Sequence, residues 1–186
     1  MEPSQVSVIV PAAGSSSRFG ADDKLAMPWG DSTVLGTVLA RAAALGALEV
    51  VLVGREAAGC ISVENPDPER GMASSIACGV RAASSRSAGF LIWPADMPLI
   101  PVAAAQAVVQ AGDSVVPART RHDETPGHPV FFGASLRAEL SALHSGPGAR
   151  GLLDALRGLT WVEWPDASVL EDIDTPAAYR RLLGRA

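Results

Sequence analysis

The sequence predicts an α/β protein in which a mostly parallel, twisted sheet lies between two layers of helices. Short apolar runs, typical of buried strands, alternate with longer alanine-rich stretches, typical of helices. The first run, Val6–Val10, is rich in β-branched residues and is followed by the small residues Ala12, Ala13 and Gly14. Because 186 residues are enough to bury one core, we expect a single domain over residues 1–186.

The alternation of these runs predicts each element in chain order. Strands are expected at Val6–Val10, Glu49–Val53, Ile61–Val63, Phe90–Trp93, Ser114–Val116, Pro129–Phe132 and Thr160–Trp164. Helices are expected at Thr33–Leu45, Ser74–Ala83, Val102–Ala111, Ser135–Leu143, Ala149–Leu156 and Pro176–Leu183, the last with Thr175 as its N-cap. In open parallel sheets, ligands bind beyond the carboxyl ends of the strands, so the loops after Val10 and Trp93 are the expected site.

Composition and charge limit the classes of function. Hydrophobic residues make up 48% of the chain and charged residues 19%, which is typical of a globular protein. The net charge is −5 and no basic cluster occurs, so we expect no nucleic-acid partner. No apolar stretch approaches the ~20 residues that span a membrane, and no signal-peptide pattern is present, so we expect no membrane partner and a cytoplasmic location. Cys60 and Cys78 are expected to be reduced thiols.

The turn after the first strand is the strongest candidate for an anion site. Its small residues let a ligand approach the backbone, where free N–H groups can bind an anion. Arg18 and Lys24 add positive charge, and Lys24 is the only lysine in the chain, beside fourteen arginines. We expect a nucleotide triphosphate here; the alternative is that the single lysine stands there by chance. The predicted nucleotide contacts of this segment are Ala12, Ala13, Gly14, Ser15, Arg18 and Lys24.

Two acidic segments are candidates for a metal site. Asp96 follows an apolar run and lies between two prolines, where a fixed carboxylate could hold Mg²⁺. The alternative for Asp96 is a turn-forming residue that caps the next helix. Asp172 and Asp174 alternate, so on an extended segment they point to the same side, and one of them could be a second ligand. The alternative is that either residue only caps the following helix.

The segment from Ala12 to Lys24 matches neither of the two common phosphate motifs, since the strings G-x-x-x-x-G-K-[ST] and G-x-G-x-x-G are both absent. It resembles the A-A-G-x-S-x-R-x-G-x-x-K signature of nucleotidyltransferases with the nucleotide-diphospho-sugar transferase fold, which is Rossmann-like. Within that group the chain resembles the molybdenum cofactor cytidylyltransferases, from Val6 to about Tyr179. The resemblance implies a Mg²⁺-dependent transfer of CMP from CTP to molybdopterin carrying molybdenum, with a molybdoenzyme as a further partner.

The resemblance also implies roles for charged residues. Arg18 and Lys24 would stabilise the charge that develops on the triphosphate, and Asp96 would act with them in catalysis. The strings D-M-P, at Asp96, and D-x-D-T-P, at Asp172, are shared with the group. By that likeness Asp96 and Asp174 are the expected Mg²⁺ ligands, and Asp172 supports them.

A third shared segment is Gly71-Met-Ala-Ser-Ser75, which resembles the group's G-M-x-S-S. By resemblance Ser75 is the expected contact of the base, Ser74 is the second choice, and Gly79 belongs to the same nucleotide site. We expect one of the two serines to be the N-cap of the helix. The methyl of Ala13, where guanylyltransferase relatives usually carry glycine, favours a smaller pyrimidine.

Two further segments resemble acceptor-binding motifs of the group. His128 lies in G-H-P-V, and Arg150 lies in G-x-x-G-A-R, where it could pair with an acceptor phosphate. The alternatives are a structural histidine and a solvated arginine. The chain departs from the group's pattern at Pro11, Phe19 and Asp23, where leucine, methionine and proline are usual.

Three other functions remain open. The first is the same chemistry with another nucleotide or acceptor. The second is an NAD(P)-dependent reductase, because the resemblance extends to reductases of a nicotine-derived pigment; the absent dinucleotide motif argues against it. The third is a non-catalytic chaperone of the molybdenum cofactor, against which the retained Arg18, Lys24, Asp96 and Asp174 argue.

Overall fold

The computed structural model describes residues 1–14, 19, 23–145, 148–156 and 158–185. Its strands are β1 (Val6–Pro11), β2 (Pro28–Trp29), β3 (Ser32–Thr33), β4 (Glu49–Val53), β5 (Ile61–Val63), β6 (Gly89–Ile92), β7 (Ala118–His122), β8 (Thr125–Gly133) and β9 (Thr160–Glu163). Its helices are α1 (Val34–Ala44), α2 (Met72–Ala82), α3 (Val102–Ala111), α4 (Arg137–Ser141), α5 (Gly148–Ala155) and α6 (Pro176–Leu183). In the ranges described, no helix has the length and apolarity that crossing a membrane requires.

Seven of the strands form one sheet in the order β5–β4–β1–β6–β8–β7–β9, and β2 and β3 form a separate hairpin. Neighbours in the large sheet run parallel except that β8 is antiparallel to both β6 and β7. The predicted mostly parallel sheet is therefore confirmed. Strand β1 lies between β4 and β6. The next strands of the chain, β4 and β5, are added on one side of β1, and the later strands, from β6 on, are added on the other side. The carboxyl end of β1 is thus the switch point at which ligands of such sheets bind.

Helices cover both faces of the sheet, which confirms the three-layer α/β/α architecture. Residues of α1, α3 and α6 share one hydrophobic cluster with Val8 and Val10 of β1. Residues of α2, α4 and α5 share a second cluster with Ile9, whose side chain points to the opposite face because side chains alternate along a strand. Strand β1 is consequently buried on both sides, as its apolar sequence predicts.

The strand expected at Ser114–Val116 is wrong. The carboxylate of Asp113 accepts hydrogen bonds from two N–H groups in this range, both at 2.7 Å, and so turns the chain there. The strand forms instead at β7, a few residues later, where it pairs with β8 and β9. The other predicted strands and helices are present, several with shifted ends.

Candidate active site

Lys24 joins two carboxylates that lie far from it in the sequence. Its Nζ atom donates to Asp96 Oδ2 at 2.6 Å and to Asp174 Oδ1 at 3.0 Å. The side chains of Lys24 and Asp96 are only 15% and 19% exposed, so solvent screens this pair less than it screens a surface ion pair. Three residues that the sequence singles out for phosphate and metal binding therefore meet at one point.

Backbone contacts bring the two carboxylates together. Asp96 follows β6, and its carbonyl oxygen accepts a hydrogen bond from the Ile173 N–H at 2.9 Å. Ile173 is fully buried, which fixes the segment that carries Asp174 beside the loop after β6. Helix α6 is capped by Thr175, which accepts a hydrogen bond from the Ala178 N–H as expected. The cap is therefore neither of the aspartates of this segment.

The charges in this cluster influence one another. Burial alone would lower the pKa of Lys24, but the attraction of Asp96 and the hydrogen bonds to both carboxylates outweigh it, so the pKa is raised and the ammonium stays charged. Partial burial, followed by repulsion from Asp174 and Asp96, raises the pKa of Asp172. Asp172 thus belongs to the same cluster, although Lys24 donates its hydrogen bonds to the other two carboxylates.

Two cavities are lined by residues of this cluster and a third lies next to them; Met72, the first residue of α2, lines all three. The loop cavity, of about 160 Å³, has Ala12, Ala13, Gly14, Lys24, Ser75 and Asp96 in its wall. The carboxylate cavity, of about 200 Å³, has Asp96, His128, Asp172 and Asp174 in its wall. The arginine cavity, of about 270 Å³, has Arg70, Arg119, His128 and Arg150 in its wall.

The two serines of α2 have different environments. The helix begins at Met72 and its N-cap is Gly71, so the expectation that one of the serines caps it is wrong. Both hydroxyls accept hydrogen bonds from Asn65 Nδ2, Ser74 at 2.9 Å and Ser75 at 3.0 Å. Ser74 also donates to backbone carbonyl groups, which uses its proton within the protein. Ser75 lines the loop cavity and donates to none of the described residues, so its proton is available to a ligand.

The arginine cavity combines positive charge with an apolar wall. The Nε atom of Arg119 donates to the Gly127 carbonyl oxygen at 2.7 Å, which holds this side chain of β7 in place. Burial, and then the neighbouring charge of Arg150, lower the pKa of Arg119. Val130, which pairs with Arg119 across β7 and β8, and Phe132 also line this cavity. Such a cavity suits a ligand that carries both anionic groups and an apolar surface.

His128 lies where the arginine and carboxylate cavities adjoin and lines both. Burial, and then the positive charge of Arg119, lower the pKa of His128 to about 4, so the imidazole is neutral near pH 7. Its Nδ1 atom is buried and has no hydrogen-bond partner among the described residues. A neutral imidazole at this place can exchange one hydrogen bond with a ligand.

Comparison with known proteins assigns the family. The model of the MobA-like NTP transferase domain matches residues 8–160. The chain belongs to the MobA-like NTP transferase family. It is a nucleotidyltransferase, with the nucleotide-diphospho-sugar transferase-like fold that its sequence predicts.

Relatives of this MobA-like protein cover nine-tenths or more of its length. It is 31% identical over 190 residues to the purine catabolism protein PucB of Bacillus subtilis (strain 168), with 90% of this chain and 91% of PucB covered. The crystal structure of Rv0371c from Mycobacterium tuberculosis H37Rv has a TM-score of 0.87 and 28% identity, covering 99% of this chain and 100% of Rv0371c. A complex of Rv0371c with manganese has a TM-score of 0.80 and 25% identity, covering 97% and 98% of the two chains.

The structure places the predicted nucleotide residues of this MobA-like protein in four groups. Most line the loop cavity described above, whereas Ser15 and Arg18 lie outside the described residues. Ser74 is not in the wall of the loop cavity, and its hydroxyl is hydrogen-bonded within the protein. Gly79 lies apart from the cavities, on the face of α2 that packs against β1. A Cβ at Gly79 would lie 2.4 Å from Ile9 Cγ2, so glycine is needed there for close packing. We therefore assign Gly79 to the core and not to nucleotide binding.

Several polar side chains at the site are missing from the sequence-based predictions, among them Arg70 in the wall of the arginine cavity. Arg119 lies in strand β7, which was not predicted, so the sequence contained no indication that its side chain lines a cavity. Asn65 orients both serines of α2. Its position shortly before the serine motif was the only sequence feature that could have indicated this role. Arg55 follows the carboxyl end of β4, at the edge of the sheet where ligands are expected, and that rule alone could have identified it.

Proposed function

We propose that the protein transfers CMP from CTP to a phosphorylated acceptor, molybdopterin carrying molybdenum, and releases pyrophosphate. One observation carries this proposal: Lys24 lies between Asp96 and Asp174 where the loop and carboxylate cavities adjoin. Nucleotidyl transfer requires cationic and metal-binding groups between the nucleotide and the acceptor. The family supports the class of reaction, and the base and the acceptor are added by this proposal.

The loop cavity is the proposed nucleotide site. The available O–H of Ser75 would donate to the edge of the base, and the small residues Ala12 to Gly14 would let the triphosphate approach the backbone. Ala13 packs so closely on Gly54 that a Cβ on Gly54 would lie 2.3 Å from the Ala13 Cβ. The Ala13 methyl therefore has a fixed position in the cavity wall, which supports a pyrimidine over a bulkier purine.

The donor set of the site fits Mg²⁺. This ion binds through one or two carboxylates and takes its other ligands from water and substrate phosphates. Asp96 and Asp174 would hold it, because their oxygen atoms already converge on the cation of Lys24. Bound Mg²⁺ would supply neutralisation of charge on the phosphates. The manganese complex of Rv0371c supports a divalent ion in this family.

The chain's own residues would position the reactants. Lys24, with its raised pKa, would act as a fixed positive charge on the triphosphate and not as a base. Arg119 and Arg150 would bind anionic groups of the acceptor, and neutral His128 would contribute a hydrogen bond. An acceptor phosphate oxygen held there would attack the α-phosphorus, and the bond to pyrophosphate would break on the opposite side.

We also propose that residues 1–186 work as one domain. The hydrophobic clusters on the two faces are built on the same central strands, so neither face has a core separate from the sheet.

The proposal is tested by measuring pyrophosphate release with each nucleoside triphosphate and the candidate acceptor, and by thermal shift. In the presence of Mg²⁺, CTP is expected to raise the melting temperature more than GTP at equal concentration. Ser75→Ala should narrow this preference, since a hydrogen bond to the base is lost. Ser74→Ala is the matched control: it shares the Asn65 contact and should lower only the stability of the free protein.

The same measurements can overturn the proposal. Equal shifts for CTP and GTP would remove the cytidine assignment. A shift with NADH and none with any nucleoside triphosphate would favour the reductase instead.

A further inference from the structure

Arg55 connects two ends of the segment that carries the phosphate-binding signature. Its guanidinium makes a bidentate ion pair with Asp23, with Nη1 at 2.5 Å from Oδ2 and Nη2 at 2.8 Å from Oδ1. Its Nε atom donates to the carbonyl oxygen of Ala12 at 3.3 Å. Ala12 follows β1, and Asp23 immediately precedes Lys24. One side chain from the neighbouring strand β4 therefore reaches both.

Asp23 in turn shapes the backbone around Lys24. Its Oδ1 atom, which pairs with Arg55, also accepts a hydrogen bond from the Leu25 N–H at 3.1 Å. Its carbonyl oxygen accepts one from the Ala26 N–H at 3.0 Å, which closes a turn with Lys24 inside it. Leu25 is only 4% exposed and anchors the far side of the turn in the core. The position of Lys24 thus depends on Asp23 and on the buried Leu25.

We propose that Arg55 is a positioning residue for Lys24 and acts through Asp23. The inference rests on the proposed function, in which the Lys24 ammonium must lie between the carboxylates and the triphosphate. A fork of two hydrogen bonds fixes the orientation of a carboxylate, which a single bond from a lysine could not do. The hydrogen bonds from Arg55, and to a lesser extent the Leu25 N–H and the charge of Arg55, lower the pKa of Asp23 despite its partial burial, so the pair is intact at neutral pH.

Stability is a poor explanation for this ion pair. The side chains of Arg55 and Asp23 are 31% and 38% exposed, and ion pairs that exposed contribute little to folding. Arg121 forms a comparable ion pair with Glu163 between β7 and β9, away from the loop cavity. Arg121→Met is therefore a matched control that removes an exposed arginine ion pair elsewhere in the same sheet.

A competing role must be separated from positioning. Arg55 also lines a cavity of about 400 Å³ beside Ala13, so its charge could bind the nucleotide directly. A positioning role predicts a lower kcat with little change in the KM for CTP, whereas direct binding predicts a higher KM. Displacement of a catalytic group by about 1 Å can cost on the order of 100-fold in rate, so we expect a loss of about 10- to 100-fold in kcat for Arg55→Met.

A double-mutant cycle tests whether Asp23 transmits the effect. If Arg55 acts through Asp23, then Arg55→Met, Asp23→Asn and the double variant should all lose kcat to a similar extent, and Arg55→Lys should restore only part of it. Arg121→Met should keep the kcat of the unaltered protein. Losses that multiply in the double variant, or a change confined to the KM, would overturn the inference.

The single lysine allows a test that needs no turnover. Protein labelled with ¹⁵N at lysine Nζ gives one side-chain ammonium signal, which is observable only while hydrogen bonds slow its exchange with water. The signal should persist in Arg121→Met and be lost or broadened in Arg55→Met. An unchanged signal in Arg55→Met would overturn the positioning role. If the unaltered protein released no pyrophosphate from any nucleotide, the proposed function would fail. The ammonium signal of Lys24 would still show whether Arg55 positions Lys24.

Discussion

The Lys24 ammonium bridges two carboxylates, and its Nζ atom lies 2.6 Å from Asp96 Oδ2. The second carboxylate, that of Asp174, reaches the same nitrogen atom at 3.0 Å. Without a cation between them, two carboxylates that reach the same nitrogen atom would repel each other. The ammonium therefore stabilises the arrangement of these two carboxylates. A metal ion held by the same oxygen atoms, as proposed above, would compete with the ammonium for them.

Removing the Lys24 charge should separate metal binding from catalysis. In Lys24→Met, Mn²⁺ without nucleotide is expected to bind more tightly than in the unaltered protein, because it no longer competes with the ammonium. The rate of nucleotidyl transfer should nevertheless fall, by roughly 2–4 kcal/mol in activation free energy, since the charge on the triphosphate is no longer stabilised. Titration of Mn²⁺ by electron paramagnetic resonance, together with kcat, checks both. Weaker Mn²⁺ binding in Lys24→Met would contradict the competition.

Asp96→Asn should keep the fold and lose most of the metal-dependent activity. The loop position of Asp96 is held by its backbone contact with Ile173, which the substitution leaves in place, whereas the amide removes a full charge at the metal. Asp174→Asn should have a comparable effect and Asp172→Asn a smaller one, because the hydrogen bonds of Lys24 are to Asp96 and Asp174. The three losses of activity are compared by measuring pyrophosphate release at increasing Mg²⁺ concentration. The melting temperature of each variant is the control for folding. Equal losses for Asp172→Asn and Asp174→Asn would make Asp172 a ligand as well.

The β-α alternation was sufficient to predict the three layers and the edge of the sheet that carries the site. The apolar strands β1, β4 and β6 are buried on both faces, so their sequences carry a strong signal. Strand β7 was not predicted because it reads Ala-Arg-Thr-Arg-His, with polar residues that face the cavity or form ion pairs. This segment forms a strand because it pairs with β8 and β9, and such pairing between distant segments cannot be inferred from local sequence.

The sequence was sufficient to predict which residues form the candidate site, but not how their side chains are arranged. Lys24, Asp96 and Asp174 were each identified from their local motifs, but the hydrogen bonds that join them are tertiary contacts. The predicted cap at the serines of α2 was wrong because the helix begins earlier, at Met72, with Gly71 as its N-cap. Both hydroxyls therefore lie inside the helix, where Asn65 donates to them.

Arg119 should contribute to acceptor binding, although no motif contains it. Arg119→Met is expected to raise the KM for the acceptor and to leave the KM for the nucleotide unchanged, because the side chain lines the arginine cavity and not the loop cavity. The loss of a charge-assisted hydrogen bond corresponds to about 1.5–3 kcal/mol, or roughly 10- to 150-fold in affinity. Arg121→Met, on the same strand but paired with Glu163, is the control. Similar acceptor KM values for the two variants would exclude this role.

His128 should make the stability of the protein fall in mild acid. Its pKa is about 4 in the folded protein, lowered by burial and by Arg119, whereas an unfolded histidine titrates near 6.5. Between these values the unfolded chain binds a proton that the folded protein does not, so the free energy of unfolding decreases as the pH falls from about 6.5 to about 4. The decrease is at most about 3 kcal/mol, since each unit of pKa difference corresponds to 1.36 kcal/mol.

His128→Gln should remove this part of the pH dependence, and Arg119→Met should reduce it by removing one of its causes. Urea unfolding at a series of pH values measures the slopes, and an unaltered slope in His128→Gln would show that His128 is not the residue responsible.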